Sequence, residues 1–270
     1  MAMLSLTSST YGKTPLGEAL RRIKAHGFDA LEITAVPGFH IDASSFNDSD
    51  ARALKAQLLE IGLSVSAITS GPCPLFAGPA ELEYLRKTLA LAERLGAPIV
   101  ITYATKTPRT DGMPASEWRG NLCKQLANLA DDAARRGLRI AYETEPGHLT
   151  DQPRMGIEIV REVGHRALGY NLCVPHILPA IAPEDSLHAI IDLAADAIIN
   201  THLADVRQRV HKHLVPGDGE VDFRALFEHL RRIGYRGSFT WDLYPYAETP
   251  DFAAERVQKF MDDMRATGLF

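Results

Sequence analysis

The sequence predicts one (β/α)8 barrel, a TIM barrel, occupying residues 1–270 as a single domain. Two observations carry this. A short unit recurs along the chain, in which an amphipathic stretch stops at a glycine and a β-branched or apolar run follows. Eight such runs can be found, and polar residues stand at their ends.

In order, MLSLTS opens the chain as a first strand ending near Ser8. AHG-FDALEI puts Gly27 before a second strand ending near Thr34, and EIG-LSVSAI puts Gly62 before a third ending near Ile68. RLG-APIVIT follows Gly96 toward Tyr103, and RRG-LRIAYE follows Gly137 to Glu143. EVG-HRALGYNLC runs from Gly164 to Cys173, DAIINTHL reaches His202 without a glycine, and RIG-YRGSFTWD runs from Gly234 to Asp242. Glycine suits the left-handed residue that closes a helix, and an apolar run beyond it suits a buried parallel strand. Between the runs, Leu16, Ala19, Leu20 and Ile23 repeat at helical spacing. So do Phe223, Leu226, Phe227 and Leu230, with Asp222 placed as a cap. Strands and helices alternating at this period predict parallel βα units. A doubly wound sheet of five or six strands would leave helices over, so a closed barrel fits best.

Composition narrows the function. The chain is 46% hydrophobic, enough for a sizeable core, and its formal net charge is −5 with no block of like charges. Nucleic acid and anionic membranes are therefore not expected as partners. The three cysteines, Cys73, Cys123 and Cys173, are too scattered for a disulfide framework or a CxxC site, which implies a reducing compartment. No signal-peptide pattern opens the chain and no run approaches the ~20 apolar residues of a membrane helix. A cytoplasmic location is expected.

Strand side chains alternate faces, which sorts barrel interior from helix-facing positions. That phase turns Glu32, Ala141 and Glu143, Asn171 and Cys173, Asn200 and His202, and Thr240 and Asp242 inward. Tyr142, Tyr170 and Trp241 face the helices. Polar inward residues at strand ends have no hydrophobic reason to be there, and this rim is where barrels of this kind carry out catalysis.

Several stretches then resemble the sugar-phosphate isomerase/epimerase family, the xylose-isomerase-like barrels that include ketose 3-epimerases. The resemblance covers nearly the whole chain and is densest over 138–246. YETEPGHLTD is similar to the strand-five segment whose glutamate binds a divalent metal, a role that falls on Glu143. LGYNLCVPHI resembles the strand-six pattern of a metal-binding aspartate and a histidine three residues on; His176 keeps the histidine, and Cys173 replaces the aspartate. INTHLAD resembles the strand-seven segment with the third ligand, His202. HLVPGDGEVDF resembles the loop before the last helix, with His213 at its basic position, and GYRGSFTWDLYP resembles strand eight, with Asp242 where the fourth ligand is normally glutamate.

The resemblance implies one divalent ion (Mn, Mg, Co or Zn) on Glu143, Cys173, His202 and Asp242, with Glu143 and Asp242 as the acid/base pair. His176, His213 and Glu32 would contact a carbohydrate substrate. A thiolate at Cys173 would favour Zn²⁺ over Mg²⁺, although a free cysteine also serves as an inert buried group. The shorter Asp242 would reach the ion only through water. His211, two residues before His213, would point the same way in extended chain, or face solvent in a loop. Glu145 and Asp205 would orient histidines, or simply be solvated. Tyr103, Trp241 and Tyr244 stand at the rim, with Trp241 more in keeping with the core. The expected reaction is isomerisation or epimerisation of a sugar or keto-sugar through proton abstraction next to a carbonyl. Elimination from a keto-sugar, keto-glycoside or cyclic polyol is the alternative, and a sugar-binding barrel without metal is the alternative of another class. Relatives of this kind commonly pair, so a homo-oligomer is expected.

Overall fold

The computed structural model describes residues 3–73, 79–104, 112–182 and 184–269. Eight strands, β1 (Met3–Thr7), β2 (Ala30–Thr34), β3 (Ser64–Cys73), β4 (Ile99–Ala104), β5 (Arg139–Glu143), β6 (Leu168–Cys173), β7 (Ile198–Leu203) and β8 (Ser238–Trp241), pair in sequence order. All pairs are parallel, and β1 pairs with β8 to close the barrel. The expected strand ends hold closely for seven strands. β3 instead runs past Ile68 to Cys73, where a register shift against β4 between Thr69 and Pro72 lets it continue.

The helices α1 (Leu16–Ala25), α2 (Asp48–Ile61), α3 (Pro79–Leu95), α4 (Ala115–Arg135), α5 (Pro153–Val163), α6 (Val174–Ala180), α7 (Leu187–Ala194), α8 (Phe223–Arg232) and α9 (Pro250–Ala266) lie between and after the strands. The six glycines of the repeated unit all adopt positive φ, from 59° at Gly164 to 87° at Gly27. They therefore stop the helices as the sequence pattern requires. Asp222 caps α8 by accepting from the Ala225 N–H at 3.0 Å.

The main core lies between strands and helices and includes Tyr142, Tyr170 and Trp241, each fully buried. A smaller apolar group, Ala67, Ile99, Ile101, Ala141 and Ile199, carries the inward phase and fills the barrel. Toward the strands' C-terminal ends the interior turns polar, and the site begins there. Cys123 and Cys173 are free thiols; the Cys73 side chain lies outside the described residues. No helix among the described residues is long and apolar enough to cross a membrane.

Candidate active site

A pocket of about 310 Å³ opens at the C-terminal ends of the strands. Glu32, Glu143, Glu145, His176, His202 and Asp242 line it, with Tyr103 and Tyr244 as walls. It lies where barrel enzymes hold their chemistry.

Its floor is one continuous hydrogen-bond network across the barrel. Asn171 donates to Glu143 Oε2 at 2.9 Å and to His202 Nδ1 at 3.1 Å. Asn200 donates to Asn171 Oδ1 at 3.0 Å and accepts from Ser238 at 2.8 Å. The His202 Nε2–H is held by both Glu32 oxygens at 2.9 and 3.0 Å, and Glu32 also accepts from Thr69. With Nε2 fixed on that carboxylate, Nδ1 is the nitrogen turned toward Asn171 and Glu143, and a carboxylate on the far nitrogen is the arrangement that metal-binding imidazoles use. Glu32, which the resemblance implies as a substrate contact, lines the pocket while its buried carboxylate holds His202 and Thr69. The inward phase of Asn171 and Asn200 was legible from alternation; the roles of both, as bridges between functional groups, were not.

Donor atoms of Glu143, Cys173 and His202 lie within 4.8 Å of one another. His176 Nδ1 approaches Glu143 Oε1 to 2.9 Å, but Oε1 receives no aligned hydrogen bond although it is buried. A buried carboxylate oxygen left this way is costly unless a cation completes it. Oxygen, sulfur and imidazole nitrogen around such an orphan fit a divalent ion, with the sulfur favouring zinc. Asp242 stands apart from this group. Its carboxylate accepts from the Thr7 hydroxyl at 3.0 Å and faces His213 Nδ1 at 3.1 Å. The side chain that is one methylene short is used by these neighbours instead.

Burial favours a neutral Glu143, but His202 and His176 outweigh it and hold its pKa well below the ordinary carboxylate value. Burial likewise opposes the Asp242 charge, and His213 overcomes it, drawing the pKa down to about 2. Glu145, at the rim, is pushed up to about 7 by burial and by the Glu143 charge. Burial, helped by the Glu143 charge, keeps the Cys173 thiol pKa raised against the pull of His176.

The remaining residues divide. His176 lines the pocket, while His213 is buried behind Asp242, its Nδ1 donating to the Asp242 carbonyl at 2.8 Å. His211 lines the pocket and meets His213 Nε2 to Nε2 at 3.3 Å. Asp205 orients no histidine. It is buried and accepts four backbone N–H bonds, from Val206, Gly217, Gly219 and Val221 at 2.8–3.0 Å, so it folds the loop that carries His211 and His213. A Cβ on Gly219 would come within 2.3 Å of Asp205 Oδ1, which explains glycine there. Thr7, on β1, carries no motif that would have singled it out.

Comparison with known proteins gives consistent findings. A family model described as xylose isomerase-like TIM barrel matches residues 20–264. The 3-dehydroshikimate dehydratase of Pseudomonas aeruginosa is 29% identical over 88% of this chain, and the chain spans 37% of that protein's length. The L-ribulose-5-phosphate 3-epimerase of Salmonella typhi is 24% identical over 92% of this chain and 88% of its own. Among solved structures, a D-tagatose 3-epimerase-like protein superposes with a TM-score of 0.82 at 18% identity, covering 99% of this chain and 100% of that one.

Proposed function

This chain belongs to the xylose-isomerase-like TIM-barrel family, and from that premise we propose that it is a metal-dependent isomerase or epimerase of a neutral keto-sugar. The observation that carries the reading is the buried Glu143 Oε1, which receives no aligned hydrogen bond, beside Cys173 and His202 at the pocket floor. A divalent ion held by those three residues supplies polarisation of the substrate carbonyl.

This chain's own groups supply the rest. Glu143 and Asp242 are both ionised at neutral pH and both line the pocket, so each can take a proton from a carbon beside a carbonyl. Asp242 is oriented by His213 and Thr7. His176 and His211 offer imidazoles at the mouth, and Tyr103 and Tyr244 form its aromatic walls. The described lining carries four carboxylates (Glu32, Glu143, Glu145 and Asp242) and neither lysine nor arginine, which favours an uncharged substrate over a phosphate ester. Elimination shares the first step, and the 29% identity to a dehydratase supports it as the second reading.

Deuterium exchange tests the reading. With the metal-loaded protein in D₂O, a free ketose should take up deuterium at the carbon beside its carbonyl, faster than its phosphate ester does. Product with a lost hydroxyl group would select elimination. Exchange into phosphate esters alone would refute the charge argument, and no exchange into any keto-sugar would refute the chemistry.

Glu32 acts through His202 rather than on substrate. Glu32→Ala frees the imidazole to rotate and change tautomer, so metal affinity should fall by about 10–100-fold. Competition against a metallochromic chelator measures this, and unchanged affinity would show that the Glu32 bond to His202 is incidental.

A further inference from the structure

The loop after β7 reverses over Arg207–Val210. The Val210 N–H donates to the Arg207 carbonyl at 3.0 Å, and Gln208 and Arg209 between them hold φ of 53° and 56°. That is the pattern of a type I′ turn, which favours glycine, asparagine and aspartate because other side chains crowd the backbone at positive φ. Such strain persists where surrounding contacts impose it, and Arg209 makes contacts of that kind. Its Nε donates to the Leu178 carbonyl at 3.0 Å and its Nη2 to the Ile181 carbonyl, both at the C-terminal end of α6. We infer that Arg209 is a positioning residue: it caps α6 from the loop and so fixes the His176 and His211 imidazoles against each other at the pocket mouth.

α6 needs an outside partner at that end. It has seven residues with Pro179 among them, and the last carbonyls of a helix find no donor within it. The Ile181 N–H closes on the Ile177 carbonyl at 3.0 Å, and Arg209 takes the next one, Leu178. A guanidinium suits the task, because its rigid fork reaches two carbonyls and its charge complements the negative end of the helix. At its other end α6 starts directly from β6, with Cys173 at the junction. The strand therefore fixes the start of α6, and Arg209 fixes its end.

The loop is secured in the same way, at base and tip. Asp205 and Leu214 exchange backbone bonds at its base, and Arg209 anchors its tip, with His211 between them. His176 and His211 meet edge to face, centroids 4.7 Å apart and planes at 87°. Both line the pocket and Arg209 does not, so Arg209 acts through them rather than on substrate. Glycine at 209 would relax the turn but carries no guanidinium. The consequence for substrate rests on the reading proposed above; the placement of the rings is measurable without turnover.

Three variants of the full chain separate strain from tether. Gln208→Gly and Arg209→Gly each relieve one left-handed residue, and only Arg209→Gly also severs the bonds to α6. In protein carrying isotope-labelled histidine, the His176 and His211 ring resonances should keep their parent positions in Gln208→Gly. In Arg209→Gly both should move toward those of a free imidazole, because each ring leaves the other's ring-current field. Arg209→Lys, with one point donor for two carbonyls, should give an intermediate displacement. For the accepted ketose, Arg209→Gly should raise KM about 10-fold, one hydrogen bond's worth of binding, with kcat nearly unchanged. Parent-like resonances in Arg209→Gly and Arg209→Lys, or equal displacement in Gln208→Gly, would show that Arg209 does not position the rings. Displaced resonances with an unaltered KM would break the link to substrate. A parent protein that turns over no keto-sugar would sink the reaction and leave the resonances to decide the placement.

Discussion

Replacing Glu143 with glutamine should abolish most turnover while leaving the barrel intact. The amide still accepts from Asn171 and fills the same volume, so packing around the 4%-exposed side chain barely changes. The change removes a negative charge beside His202 and His176 and removes a carboxylate able to take a proton. A positioned general base is worth about 10²–10⁴-fold in rate, and the loss of a metal donor adds to it. Deuterium exchange into the accepted ketose should therefore drop by at least 10²-fold, with the circular dichroism of the folded barrel unaltered. A Glu143→Gln protein that exchanges at the parent rate, loaded with metal to the same extent, would remove Glu143 from the reaction.

The largest effect on stability should come from Asp205→Ala. One buried carboxylate satisfies four backbone N–H groups of the loop after β7, which is further held by the pair of bonds between Asp205 and Leu214 at 2.7 and 3.0 Å. Truncation removes the one buried acceptor that those four donors share. At about 1–3 kcal/mol for each unsatisfied buried group, with partial relaxation, the expected loss is about 3–5 kcal/mol. Urea denaturation should show it as a lower midpoint at unchanged slope. Asp205→Asn keeps one acceptor oxygen and should lose less. A loss below about 1 kcal/mol would mean that the loop is held by its neighbours instead.

The sequence carried the barrel because its signals are local. A glycine after a helix and an apolar run after the glycine are decided within ten residues, and the phase of a strand follows from alternation. The inward set of Glu143, Asn171, Cys173, Asn200 and His202 was legible for that reason. What was not legible depends on distances between strands. Glu32 belongs with His202, 170 positions away, and no local pattern says that its carboxylate ends on an imidazole rather than in the open pocket. Thr7 reaches Asp242 across 235 positions. Asp205 looked like another rim carboxylate, and only the path of the loop shows that it serves backbone. His211 was balanced between solvent and site because a loop has no fixed phase, and the loop turns it to His176.

The Glu32–His202 bond also bears on how the protein reaches its folded state. One partner is supplied by the second strand and the other by the seventh, so neither the first half of the barrel nor the second holds the pair. Contacts of such wide separation form late, after most loop-closure entropy has been spent. The floor donors come from the fifth, sixth and seventh strands, and the carboxylate that fixes their imidazole comes from the second. On the proposed reading, an ion would find its oriented donor set only once the ring has closed. It would act as a latch on the finished barrel rather than a seed for it, slowing unfolding more than it speeds folding.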